Sequence, residues 1–521
     1  MKKHSTSFKD ILNAQEIFSP TLTEILFSLH EKFNPNRLQL LNQRKIRQKT
    51  IDEGELPHFD SSHPAKTTTW SVRPIPEDLL DRRVEITGPV SSAKMVINML
   101  SPNQNGELAQ MCMLDFEDSM APTWENVLSG YKNVIGVANK NLSFIQTFED
   151  GSEKTYRLDP QKKMSHPMVR VRGLHMVEKN YLINGNPISA GLLDLVTVAY
   201  HTAKTFLKDG KTPKFYIPKS EHYLEARWWS EVFCDLESML SLKEGSLRVT
   251  LLIETLPAAF FMEEILYELK ERICGLNVGR WDKIFSDIKT LKFHKDRILS
   301  DRSCIDMKKP WMDNYARLLI KTCHKHGAFA MGGMSAFTPG GDESVRKIQL
   351  EKVRQDKERE AQTGHDGCWV SHPYFIGMAQ AQFKKKNQLE VKLENFSDTP
   401  DLLPVGEGPR TMKGLRQNIR VGIAYQFGWI EGQGCVAFEN LMEDLATLEI
   451  SRAQVWQWLY HEVTLDEGVK VTKELVSTLF DEEYQEILPL YVGKEEKLKH
   501  AKEVIKEIFL KPDLIDFFTE L

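Results

Sequence analysis

The sequence predicts an α/β fold, a (β/α)₈ barrel flanked by helical segments, and three observations carry that expectation. Eight short apolar runs recur along the chain, stretches long enough for a helix separate them, and the runs end in charged residues. The runs are Val84–Val90, Met111–Phe116, Met168–Arg172, Lys214–Pro218, Val249–Thr255, Ile273–Val278, Ala328–Met331 and Cys368–Ser371. Continuous apolar runs without alternation suit parallel strands buried on both faces, because helices then cover one face and the barrel interior the other. The run ends hold Asp115, Glu117, Asp118, Arg170, Arg172, Lys219, Glu221, Glu254, Arg280 and Asp282. In a barrel these positions share the rim where catalytic groups are found.

Outside the barrel the pattern changes. Residues 1–80 are expected to form N-terminal helices and a Pro- and Thr-containing linker, a clasp on the side of a barrel that spans residues 81–394. The polar stretch Asn395–Thr411 reads as a linker, and residues 395–521 as a helical domain, with helical spacing over Lys413–Gly428, Ala437–Tyr460 and Glu495–Leu521. The charged segment Glu351–Glu360 and the Lys384–Lys386 triplet are expected to be solvated helix faces.

Composition narrows the function classes. The chain has 521 residues, 41% hydrophobic and 27% charged, which is ordinary for a globular protein with a sizeable core. A formal net charge of −5 disfavours nucleic acid as a partner, since phosphate binding needs a basic excess. No run approaches the ~20 apolar residues of a membrane helix, so no membrane partner is expected. A polar N-terminus, seven scattered cysteines without a Cys-x-x-Cys pair and a Thr519-Glu520-Leu521 end favour a cytoplasmic protein with free thiols and no peroxisomal address.

Glu254 and Asp282 lie 28 positions apart, about one strand–helix–strand step, so both would project from neighbouring strands toward one point. Two hard oxygen ligands completed by water and substrate describe a Mg²⁺ site, although acidic pairs at a rim also bind arginines. At Asp444, in Glu443-Asp444 within the helical pattern, the residue type alone indicates only a surface carboxylate.

Longer motifs go further. Leu114–Trp124 (LDFEDSMAPTW), Arg170–His175 (RVRGLH), Ile253–Pro257 (IETLP), Gly275–Ser286 (GLNVGRWDKIFS), His365–Pro373 (HDGCWVSHP) and Asn440–Gln454 (NLMEDLATLEISRAQ) together resemble malate synthase of the A type, colinearly from about Val84 to Tyr460. Leu174 and the Thr338–Gly341 loop depart from the usual family text. The resemblance implies a (β/α)₈ barrel with an N-terminal clasp and a C-terminal plug, joining acetyl-CoA to glyoxylate with Mg²⁺ to give malate and CoA. It further implies Glu254 and Asp282 as metal ligands, Arg172 as catalytic arginine and Asp444 as catalytic acid–base. Backbone N–H groups at Arg280, Trp281 and Asp282 would hold glyoxylate, and Asp118, Ser119 and Pro339 would lie near the CoA. His175, His365 and His372 are expected to be structural. The competing readings are a malyl- or citryl-CoA lyase, which lacks the C-terminal motif, and a silent CoA-binding protein, which would lack the four functional residues. Oligomeric state is left open.

Overall fold

The computed structural model describes residues 5–520. Eight parallel strands close into a barrel: β1 (Val84–Pro89), β2 (Met111–Asp115), β3 (His166–Arg170), β4 (Lys214–Ile217), β5 (Arg248–Ile253), β6 (Ile273–Val278), β7 (Phe329–Ser335) and β8 (Gly367–Val370). Each predicted run overlaps one strand. The third is shifted: β3 starts two residues before the predicted run and ends at Arg170, which leaves Arg172 beyond the last paired residue. The bulk of the apolar core lies between strands and surrounding helices. A smaller cluster of Met111, Met113, Met168, Tyr216, Leu252, Cys274 and Trp369 fills the barrel interior.

The lower interior is polar and fully satisfied. Arg82 donates to Glu85 Oε1 at 2.7 Å, to Thr250 Oγ1 at 2.9 Å and to the Tyr216 hydroxyl at 2.7 Å, while Trp369 Nε1 donates to Glu85 Oε2 at 2.9 Å. Buried charge is tolerated here because every group has a partner. The network closes the barrel below the site.

The N-terminal segment is dominated by α1 (Pro20–Asp52), started by Ser19, whose hydroxyl accepts from Leu22 N, and by Pro20 at the first helical position. It packs on α4 (Ala190–Lys208) and α5 (Tyr223–Met239), with α2 (Ala93–Leu100) and α3 (Trp124–Ala138) preceding them in the chain. Around the barrel follow α6 (Met262–Glu268), α7 (Arg280–Thr290), α8 (Pro310–Lys325) and α9 (Glu343–Thr363). The expected solvated face over Glu351–Glu360 holds only in part: Glu351, Lys352 and Gln355 are exposed, but Val353 and Lys357 are fully buried and Glu360 nearly so. Lys357 donates to the Gly333 carbonyl at 2.7 Å and to Glu360 at 3.1 Å.

The C-terminal segment has an apolar core of its own, built from α10 (Met412–Ile430), α11 (Leu445–Tyr460), α12 (Lys473–Ile487) and α13 (Glu495–Phe509). Helical spacing over Ala437–Tyr460 is half right. Residues 435–444 form a hairpin of strands Cys435–Phe438 and Leu441–Asp444, turned by Glu439 and Asn440 at φ 48° and 63°, and only then does α11 begin. A third cluster joins the two units: Ile284, Phe285 and Ile288 of α7 meet Ile450, Ala453 and Trp456 of α11, together with Phe517. All seven cysteines are free, and among the described residues no helix is long and apolar enough to cross a membrane.

Candidate active site

At the C-terminal end of the barrel a cavity is lined by residues of several strand ends, by the start of α7 and by the hairpin that leads into α11. Asp115 closes β2. Asp118 follows it, Arg170 closes β3, Glu254 follows β5, and Arg280, Trp281 and Asp282 open α7. The hairpin contributes Cys435, Met442 and Asp444 from the opposite side. Its fit is tight: a side chain at Gly434 would come within 2.3 Å of the backbone at Met120 and Ala121.

Three carboxylates converge at the floor. Asp118, Glu254 and Asp282 each offer an oxygen, all within 4.8 Å of one another, and all three residues are buried. Gly279 makes this approach feasible, because a Cβ there would lie 2.5 Å from Glu254 Cβ. Burial pushes the Glu254 and Asp282 carboxyls up, and the charge of Asp118 adds to it, while Lys219 pulls both back down. Glu117 is likewise pushed well up, by burial and then by Asp118. Six carboxylates (Asp115, Glu117, Asp118, Glu254, Asp282 and Asp444) thus face three cationic groups, Arg170, Lys219 and Arg280. Asp282 Oδ1 has no hydrogen-bond partner although Lys219 Nζ lies 3.2 Å away. An all-oxygen donor set with excess negative charge and an unsatisfied ligand atom fits a hard divalent cation.

Two arginines line this cavity, Arg280 at the start of α7 and Arg170 at the end of β3. Arg170 Nε and Nη2 donate to Asp115 at 2.7 and 2.6 Å, its Nη1 donates to Asp118 at 2.9 Å, and its guanidinium carbon lies 5.8 Å from the Trp369 ring centroid. Met168 and Arg170 alternate with Val169, so both face the barrel interior. Arg172, expected from the family likeness in this role, is elsewhere. Past the end of β3 its guanidinium turns to α4 and the neighbouring strand, where Nε and Nη2 donate to Asp194 at 2.9 and 2.8 Å and Nη1 to Glu178 at 2.8 Å. Tyr131 donates to the same Asp194 carboxylate at 2.7 Å. Both guanidinium groups are thus paired through all three nitrogens, and what separates them is place: Arg170 lines the cavity and Arg172 does not.

Asp444 is the last residue of the hairpin and the N-cap of α11. Its Oδ1 accepts from Thr447 N at 3.3 Å while Thr447 Oγ1 accepts from Asp444 N, a reciprocal cap. It is buried, and burial, followed by the charge of Asp118, pushes its carboxyl up to about 7. Beside it α7 starts at Gly279, which has no side chain to cap the helix, so the first N–H groups of Arg280–Asp282 have no intrahelical partner. Such an N-terminus at a cavity wall is a ready anion site. The packing of α7 against α11 sets these two helix starts side by side.

The remaining predicted residues divide. Ser119 lines the cavity and donates from Oγ to Asp115 at 2.6 Å. Pro339 is half-buried in the loop after β7 and does not line the cavity; the neighbouring Thr338 N donates to the Asn440 carbonyl at 3.1 Å. His175 is half-buried and stacked on Phe517 at 4.0 Å, His365 sits beside the Ala330 carbonyl with burial lowering it to about 4, and His372 caps a short 3₁₀ turn. The sequence reading gave no role to Lys219, whose left-handed backbone, φ 49°, no residue pattern announces.

The fold and site define a (β/α)₈-barrel enzyme that pairs a buried cluster of three carboxylates on the barrel with a carboxylate supplied by a separate helical module. The models of malate synthase match in three segments: the N-terminal domain over residues 9–64, the TIM barrel domain over 167–403 and the C-terminal domain over 409–521. Malate synthase A of Escherichia coli strain K12 is 44% identical over 519 residues, 97% of this chain and 95% of that protein. Malate synthase of Myxococcus xanthus is 46% identical, over 90% of this chain and 86% of that protein, and malate synthase of Arabidopsis thaliana 41% identical, over 97% and 92%. The chain belongs to the malate synthase family.

Proposed function

We propose that this enzyme condenses acetyl-CoA with glyoxylate and, with water, releases malate and CoA. The observation that carries the reading is the convergence of three elements on one cavity: the Asp118–Glu254–Asp282 cluster, the Arg170 guanidinium, and the paired starts of α7 and α11 with Asp444 between them. Asp118, Glu254 and Asp282 would hold Mg²⁺, one residue more than the two expected from the sequence. Bound there, the cation would act as a Lewis acid toward the glyoxylate aldehyde oxygen.

The chain's own groups supply the rest. The N–H groups at the start of α7 bind the glyoxylate carboxylate and turn its aldehyde carbon toward the hairpin. Asp444 removes a proton from the acetyl methyl group, and its raised affinity for that proton makes it a stronger base than an exposed aspartate. The enolate oxygen so formed is stabilised by Arg170, in place of Arg172, because a permanently charged planar donor set suits a delocalised oxyanion. The enolate carbon attacks the aldehyde carbon, and water cleaves the thioester of malyl-CoA. The hairpin and α11 cover the barrel mouth, which keeps bulk water from the enolate.

A malyl- or citryl-CoA lyase would use a similar barrel site without the C-terminal unit; here that unit carries Asp444. Free CoA release from acetyl-CoA is the test. Release that requires both glyoxylate and Mg²⁺ supports the proposal, and release independent of glyoxylate, or cleavage of malyl-CoA to acetyl-CoA as the dominant reaction, overturns it. The acid limb of kcat/KM should fall at or below pH 7, since Asp444 must be deprotonated to act. A cytoplasmic location belongs to the same proposal and is checked by fractionation.

A further inference from the structure

Lys219 touches every member of the acidic cluster. Its backbone N–H donates to Glu254 Oε1 at 2.7 Å; its ammonium donates to Asp118 Oδ1 at 2.6 Å and lies 3.2 Å from both Asp282 Oδ1 and Glu117 Oε2. The residue is buried to 2% exposure, so the charge is delivered without competing water. Backbone and side chain face the cluster together while Lys219 holds φ 49°, a left-handed conformation that strains a non-glycine residue.

That conformation is held from outside the barrel. Arg44, on α1, donates from Nη2 to the Lys219 carbonyl at 2.9 Å, and its own fork is fixed by Glu225 at 2.8 and 2.7 Å. Arg44 is itself nearly fully buried. The N-terminal helix therefore pins the loop after β4 through one carbonyl, and that loop carries the cation of the acidic cluster.

We infer that Lys219 is a positioning residue that orients Asp118, Glu254 and Asp282 and competes with the divalent cation for their oxygens, thereby weakening cation affinity. This rests on the cation site proposed above. The ammonium approaches two of the three candidate ligand oxygens, so an incoming cation must share or displace those contacts. A fixed positive charge within ~3 Å of the ligand atoms lowers the attraction they exert on a second cation. The carboxylates gain, in return, a counter-ion that holds them close together at all times, which their mutual repulsion opposes.

The test is isothermal titration of Mg²⁺ into the full chain and into Lys219→Met, Lys219→Arg and Glu254→Gln, with melting temperatures measured in chelator and in Mg²⁺. Lys219→Met should bind Mg²⁺ roughly tenfold or more tightly, melt lower than the parent in chelator and recover more on adding Mg²⁺. Lys219→Arg, which keeps the charge, should restore the parent affinity to within about threefold. Unchanged or weaker binding in a folded Lys219→Met protein overturns the inference. Should Lys219→Met not fold, parent-like Mg²⁺ affinity in Lys219→Arg supports the inference, and affinity raised as if the charge were gone overturns it. The cation site itself fails separately, if the parent chain does not bind Mg²⁺ or if Glu254→Gln binds it unchanged.

Discussion

Exchanging each of two neighbouring arginines for lysine separates a chemical role from a structural one. Arg172 spends three guanidinium nitrogens on Asp194 and Glu178, while a lysine carries a single nitrogen. Two charge-assisted hydrogen bonds are then lost at ~1.5–3 kcal/mol each, and a buried carboxylate is left short of a partner, so the loss is about 3–5 kcal/mol. An unfolding entropy of ~2.1 cal/mol/K per residue makes each kcal/mol worth about 1 °C in a chain this long, so the melting temperature should fall by ~3–5 °C. The Arg172→Lys enzyme that remains folded should keep kcat within about threefold of the parent. Arg170→Lys also loses part of a fork, to Asp115, yet its distinguishing effect is on chemistry: kcat should drop by ~10² or more, the scale of one lost oxyanion donor. The assay is steady-state CoA release below both melting transitions, with circular dichroism melts on the same samples. A larger kcat loss in Arg172→Lys than in Arg170→Lys refutes the assignment of Arg170.

Asp444→Asn should abolish turnover while glyoxylate binding survives, measured by titration; retained malate formation would remove Asp444 as the base. The same change should raise the melting temperature at pH 8 without Mg²⁺. A carboxyl whose folded pKa is raised to about 7 from 3.8 destabilises the fold where it is ionised, whereas asparagine is an equally good N-cap, and a lower melting temperature would contradict the burial argument. Glu254→Gln should weaken Mg²⁺ binding and turnover together with the fold intact, and unchanged Mg²⁺ affinity takes Glu254 out of the ligand set. Glu221 gives an acid-stability test: burial would push it up, but Lys289, Arg44 and Arg47 hold it at about 2 against 4.5. Its contribution, ~3 kcal/mol, is present above pH 4.5 and is lost as the pH falls from there toward 2. The stability gap between the parent and Glu221→Gln should therefore narrow below pH 5, and a gap independent of pH would refute the coupling.

The barrel was legible because burial on both faces writes itself into sequence as uninterrupted apolar runs, and each of the eight runs overlaps a strand. What failed was register at an end. A two-residue shift of β3 decides whether Arg170 or Arg172 enters the cavity, and no periodicity marks where pairing with β2 stops. The hairpin before α11 was hidden for a related reason: Val436, Phe438, Leu441 and Leu445 satisfy helical and strand spacings over so short a stretch. Lys357 and Glu360 stood in a charged run in which Glu351, Lys352 and Gln355 are exposed, so their burial depends on a tertiary contact with β7. Asp118 was visible as one acid among three in Leu114–Ser119, but its convergence with Glu254 and Asp282 exists only across strands.

The reaction centre has a seam through it. Asp444 belongs to a unit with its own apolar core, the acidic cluster belongs to the barrel, and the α7–α11 packing around Ile284, Ile288, Ile450 and Trp456 holds them in register. The chain between the units, residues 395–411, is anchored to the barrel by buried Leu402 and by hydrogen bonds from Arg410 and Thr411 to Ile298 and Asp301. On the proposed mechanism, activity depends on the two units staying in register, which the connecting chain and the apolar contact between α7 and α11 both favour. An enzyme organised in this way can lose activity by parting along the seam while both halves remain folded.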